Sequence, residues 1–167
     1  YVLTEDESTS GVPIQYWVPR ERQRLARALA PTPDGLAWLE EILGPYPFDT
    51  LGILLVESES GMETQTMITL GMTDYATSPA VVVHELAHHW WGDDVTPSDW
   101  RDVWMNEGMA MYLQGMWEAE QEDYTLEQLM DYGASFEDEE RAAAGPPADY
   151  DPATFGESNI YYGPALM

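Results

Sequence analysis

The chain has 167 residues, which suits one domain with a real core, and its 31 acids against six arginines and no lysine leave a formal net charge of −25. Such a surface repels phosphate backbones, so nucleic acid is excluded as a partner, and no apolar run approaches the roughly 20 residues needed to span a bilayer. The absence of cysteine removes disulfides, thiol nucleophiles and thiolate metal sites together.

Residues 1–19 read as an extended lead-in, with "SGVPIQYWVP" as its most structured part. Two helical patterns follow, around Glu21–Leu29 and Asp34–Leu43, punctuated by Pro31, Pro33 and Gly44. The run of apolar residues from Leu51 to Val56 predicts a strand. Beyond a turn at Ser58–Gly61, "GMETQTMITLG" alternates Met62, Thr64, Thr66 and Ile68 against Glu63, Gln65, Met67 and Thr69, the pattern of one continuous strand. Ser78 before Pro79 marks a helix start, an N-cap residue followed by Pro at the first helical position. That helix carries "AVVVHELAHHWW" and is expected to stop near Gly92. Asn106 is placed to cap a further helix whose Ala110, Leu113 and Trp117 repeat at core spacing, and another helix is expected over Thr125–Glu140. The Pro- and Gly-rich stretch after it leads to "IYYGPALM", an element that begins and is cut off.

The three histidines of the chain, His84, His88 and His89, all fall within "VVVHELAHHWWGDD". Residues four apart lie on one face of a helix, about 6 Å apart along its axis, so His84 and His88 can aim two ring nitrogens at one ion. Glu85 is rotated about 100° from His84 and can reach a water at that ion without displacing a ligand. This is the H-E-x-x-H arrangement of zinc peptidases, with the Glu as general base. Two His leave a catalytic zinc one protein ligand short, and a carboxylate is the usual completion. Glu107 is the candidate, with 18 residues (89–106) between it and His88. His89 points away from the other two and reads as structural.

With these residues in place the sequence resembles the M1 family of zinc aminopeptidases, gluzincins with a thermolysin-like fold. The resemblance is strongest over "HELAHHWWGDDVTPSDWRDVWMNEGMAMYL" and extends from about "VPIQYWVP" to the last residue. It implies an α+β zincin catalytic domain over residues 20–167, truncated at its C-terminus, with a small mixed β-sheet bearing an edge strand and then a mainly helical lobe. It implies one Zn2+ held by His84, His88 and Glu107, with Glu85 as catalytic base. The family's G-A-M-E-N motif corresponds to "SGMET", so the role of binding a substrate's free α-ammonium falls on Glu63, and Gly61 and Met62 supply backbone that pairs with the peptide as an added strand. Ser60, Gly61 and Thr64 depart from that motif, standing where it has Gly, Ala and Asn. The family's oxyanion-stabilising tyrosine aligns with Tyr161, next to Tyr162, although Gly163 and Pro164 replace the residues expected after it. The implied function is hydrolysis of the N-terminal residue from peptides with a free N-terminus. The alternatives are a related zinc hydrolase of the endopeptidase or epoxide hydrolase type, or a non-catalytic zinc-binding scaffold.

Overall fold

The structure, a computed structural model, describes residues 1–146, with the backbone alone at Glu140 and Ala144. It comprises two compact units, Tyr1–Asp94 and one that begins at Val95.

The first unit is built on a five-stranded mixed sheet. Strands β1 (Val2–Glu7) and β2 (Pro13–Val18) form an antiparallel hairpin, so the segment read as a lead-in supplies two of the five strands. β2 runs parallel to β3 (Leu51–Val56), and β3 runs parallel to β5 (Met67–Gly71). The two-residue β4 (Gly61–Met62) lies antiparallel to β5 at the far edge, giving the order β1-β2-β3-β5-β4. The α+β class, the small mixed sheet and its edge strand all agree with the reading of the sequence. β3 occupies the bounds predicted for it. Its Leu51 and Ile53 pair with Ile14 and Tyr16 of β2, and Ile53 and Leu55 pair with Ile68 and Leu70 of β5. These seven side chains are buried, forming cross-strand rows that fix the register, since a one-residue slip would turn them all to the opposite face.

Between β2 and β3 lie a kinked 3-10 segment, Arg20–Arg27, and helix α1 (Thr32–Leu43). The first takes the place of the helix expected around Glu21–Leu29, and Arg22 breaks its helical dihedrals. After β5, helix α2 (Pro79–Ala87) starts where the sequence predicts, and the Ser78 hydroxyl accepts a hydrogen bond from the Val81 N–H. α1 lies close against α2: a Cβ on Gly35 would come within 2.9 Å of Val83 Cγ2. Leu36 and Leu39 of α1 and Leu86 of α2 are fully buried.

Two expectations for this unit are corrected. The alternating stretch 62–69 is not one strand. The Met67 N–H donates to the Thr64 carbonyl across a β-turn, and Thr66 at its third position has φ of 64°. Alternation persisted through the turn because no Gly or Asn announced it. α2 also ends at Ala87 rather than near Gly92. His88 keeps αR dihedrals as its C-cap, and the chain then closes a wider turn in which the Asp93 N–H donates to the His88 carbonyl at 3.0 Å.

In the second unit, helix α3 (Trp104–Gln121) begins before Asn106, so Asn106 lies inside its first turn instead of capping it. Ala110, Leu113 and Trp117 are buried as their spacing predicted. α4 (Leu126–Ala134) opens with a capping box between Thr125 and Gln128. It packs on α3 where a Cβ at Gly115 would meet Leu129 Cδ2 at 2.7 Å. The single helix expected over Thr125–Glu140 is divided at Ser135 and Phe136, and α5 (Glu137–Ala144) follows. The Ser135 hydroxyl donates back to the Tyr132 carbonyl at 2.6 Å, one way a serine competes with helix continuation. Among the described residues, no helix is long and apolar enough to cross a membrane.

A β-branched residue with positive φ is strained by about 1–2 kcal/mol. Thr66→Asn should therefore raise the melting temperature by a few degrees, whereas Thr66→Val should leave it level or lower, as read by thermal denaturation.

Candidate metal centre and substrate edge

The last turn of α2 and its C-cap present two imidazoles to one point. His84 is 9% exposed and His88 1%, and their rings meet edge to face with centroids 4.8 Å apart. The two Nε2 atoms lie 3.1 Å from each other. His88 Nδ1 is 3.2 Å from the Trp91 carbonyl, to which an N–H at that position donates. This bond fixes the tautomer and leaves the His88 Nε2 lone pair directed at His84. Two lone pairs at such a distance repel unless a proton or a cation lies between them. Two ligands of a tetrahedral zinc, each at 2.0–2.1 Å, stand about 3.3 Å apart, so the pair fits that ion without rearrangement.

Glu85 is 7% exposed and packs against the edge strand. A Cβ on Gly61 would run into the Glu85 carboxylate, which lies directly against this residue and would have to shift to admit one. A catalytic carboxylate candidate and the strand carrying Gly61 and Met62 are thus in direct apposition. Met62 is half exposed, and Glu63 follows it immediately beyond the two paired residues of β4.

Two further groups belong to this neighbourhood. Asp93 is pushed up to about 6, first by burial and then by the negative charge of Glu63, while His88 acts in the opposite direction. His89 is fully buried, and burial together with neighbouring His88 lowers it to about 4, so the ring is neutral at ordinary pH. Its Nδ1 is 2.7 Å from the Tyr46 hydroxyl, and its ring stands at 82° to that of Phe48. No motif in the sequence marks Asp93. Its spacing of four from His89 was the available signal, and the side chains do approach, with His89 Nε2 3.8 Å from Asp93 Oδ2.

In the second unit Glu107 lies in the first turn of α3 and is 6% exposed. A carboxylate there is favoured by the unpaired N–H groups and dipole of the helix start, which offset part of the cost of burying it. Tyr161 and Tyr162 lie outside the described residues. The structure therefore brings together His84, His88, Glu85, Gly61, Met62 and Glu63 within one unit and buries Glu107 at a helix start in the other.

Residues 28–145 match the Peptidase family M1 domain. The chain belongs to that family. Over 85 residues it is 35% identical to human aminopeptidase B, which corresponds to 47% of this chain and 13% of that protein. Over 101 residues it is 36% identical to aminopeptidase N of Streptomyces lividans, covering 53% of this chain and 12% of the relative. Among solved structures, the M1 zinc metallopeptidase of Deinococcus radiodurans superimposes with a TM-score of 0.68 at 25% identity, over 98% of this chain and 37% of that one. The chain thus spans about an eighth of the length of these curated relatives.

Zinc bound by the native state alone stabilises it in proportion to site occupancy, by about 2.7 kcal/mol at a free concentration 100 times Kd. Adding zinc to the metal-free protein should raise its melting temperature by several degrees, and His88→Phe should abolish the shift while preserving cooperative unfolding.

Proposed function

We propose that this chain is the catalytic domain of a zinc aminopeptidase, spanning residues 20–167 together with the β1–β2 hairpin that extends its sheet. It removes the N-terminal residue from peptides with a free N-terminus. His84, His88 and Glu107 hold one zinc ion, a donor set of two imidazoles and a carboxylate that leaves room for a further ligand. When bound, zinc supplies Lewis acidity, making water ionisable near neutral pH and polarising a carbonyl.

The remaining steps are carried by the protein's own groups. Glu85 takes a proton from the attacking water and delivers it to the leaving amine. Its burial and its seat against Gly61 hold the carboxylate still while both transfers occur. Gly61 and Met62 present edge-strand backbone to the peptide, and Glu63 receives the α-ammonium, fixing the cut one residue from the end. Tyr161 donates its hydroxyl hydrogen to the oxygen on which charge develops. The observation that carries this reading is the convergence of the paired Nε2 atoms with a buried Glu85 that touches the edge strand. The aminopeptidase relatives support it.

Glu85→Gln should retain one zinc per chain yet lower kcat at least about 10³-fold, consistent with the loss of a general base. Metal analysis and steady-state kinetics read both quantities, and full activity would sink the base assignment. N-acetylation of a peptide substrate should abolish cleavage. Cleavage of acetylated and free peptides at equal rates would favour an endopeptidase instead.

A further inference from the structure

We propose that Gly71, with Ser58, is a positioning residue for the substrate edge: the chain that crosses the end of β5 sits against the bare Cα of Gly71, and that seat sets where β4 and Glu63 stand relative to α2. The inference rests on the proposed role of Glu63 as the receiver of the substrate's α-ammonium.

The need for a seat follows from the topology. β5 lies between β3 and β4 in the sheet, so the chain leaving β3 at Val56 has to pass over the end of β5 before it returns as β4. Residues 57–60 make that crossing, over two strand spacings of about 4.8 Å each. Gly71 is the last residue of β5 and pairs with Val56 on one side. On the other side its N–H donates to the Ser60 carbonyl at 3.0 Å, immediately before the first β4 pair, Gly61↔Leu70. The crossing therefore passes over Gly71. Since β4 has only one further pair, Met62↔Thr69, this bond is a large part of what holds the edge in place.

What Gly71 contributes is the absence of a side chain. A Cβ there would run into the Ser58 carbonyl oxygen, with the carbonyl carbons of Ser58 and Glu59 at 2.9 and 3.2 Å. All three are backbone atoms, which retreat only if the crossing itself moves. Gly52 on β3 is the contrast. A Cβ there would meet the end of the Met67 side chain first, its sulfur at 2.7 Å, and a methionine can swing aside. Ser58 gives the crossing its shape from the solvent side. Its N–H donates to the Val56 carbonyl at 2.9 Å, and its hydroxyl accepts from the Ser60 N–H at 3.2 Å. Ser60 thus carries both ties, one to Ser58 and one to Gly71. Gly61 comes next in the chain and lies against the Glu85 side chain, so a displaced crossing changes the separation between the edge strand and α2. Gly71 and Ser58 act on substrate only through that edge and Glu63.

The test uses the zinc-loaded full chain and two matched ligands, leucine hydroxamate and its desamino analogue 4-methylpentanohydroxamate, with Kd read by calorimetry. Both reach zinc through the hydroxamate and only the first carries an α-ammonium. The factor by which the first binds more tightly, compared across variants, reports the ammonium contact. Gly71→Ala should cut that factor about tenfold, the scale of one weakened charge-assisted hydrogen bond, while the desamino analogue binds within about twofold of the parent. Ser58→Ala loses only the tie to Ser60 and should cut the factor about threefold, whereas Ser58→Thr keeps the hydroxyl acceptor and should restore it to within about 1.5-fold. Gly52→Ala, a packing change in the same sheet, should leave the factor unchanged. An unchanged factor in Gly71→Ala, or in Ser58→Ala if the first variant does not fold, would overturn the proposal. So would an equal loss of affinity for both ligands. Glu63→Gln serves as the reference. If it leaves the factor unchanged, the role of Glu63 is wrong and the positioning role falls with it. If it lowers the factor while the Gly71 and Ser58 variants do not, only the positioning role fails.

Discussion

The structure turns on two imidazole nitrogens held 3.1 Å apart at the end of one short helix. That distance repels two bare lone pairs and suits either one shared proton or two ligands of one small cation. Maintaining it requires that neither ring rotate and that the helix not fray. The Trp91 carbonyl restrains His88, and the Ser78 cap with Pro79 defines the start of α2. Val83 seats the helix against α1 at Gly35, and the fully buried Leu86 anchors it between the two histidines. Apolar residues flanking a polar motif thus become its mounting.

Burial changes the chemistry of what is mounted. An exposed carboxylate is hydrated and mobile, whereas Glu85 has been drawn out of water and pressed against the backbone of the edge strand. Withdrawal from solvent strengthens the interaction of such a carboxylate with any nearby charge. Asp93 shows what loss of solvent does to an acid, since burial and the charge of Glu63 both resist its ionisation. In a chain of such acidic composition, the exposed acids have solvent to disperse their charge. These few do not.

How much of this was legible in the sequence varied with the range of the interaction involved. β3 declared itself because a central strand buried on both faces is a continuous apolar run. α2 announced its start through a local capping signal, and His84, Glu85 and His88 through a spacing that depends only on helix geometry. The turn after Thr64 was hidden because its third position holds a β-branched residue where glycine is usual, and the alternation of side chains ran on undisturbed. The end of α2 was obscured by tryptophans that continue an apolar pattern without continuing the helix. His89 was correctly expected to point away from His84 and His88. What lies in that direction is the Tyr46 hydroxyl, a tertiary neighbour that no local pattern names. Gly61 is a similar case: its motif suggested substrate pairing, but the side chain that lies against it comes from a residue 24 positions later in the chain (85 − 61).

The brevity of β4 has a consequence for how the proposed enzyme would spend its time. A two-residue edge offers an incoming peptide only about two backbone hydrogen bonds, each contributing around 1 kcal/mol net. That grip is too weak to retain a chain after the bond at its end is cut. A longer edge would hold more of the peptide and release the shortened product more slowly, converting an enzyme into a trap. The short ladder favours frequent exchange over tenacity, so successive cuts on one peptide would be separate encounters rather than a continuous run.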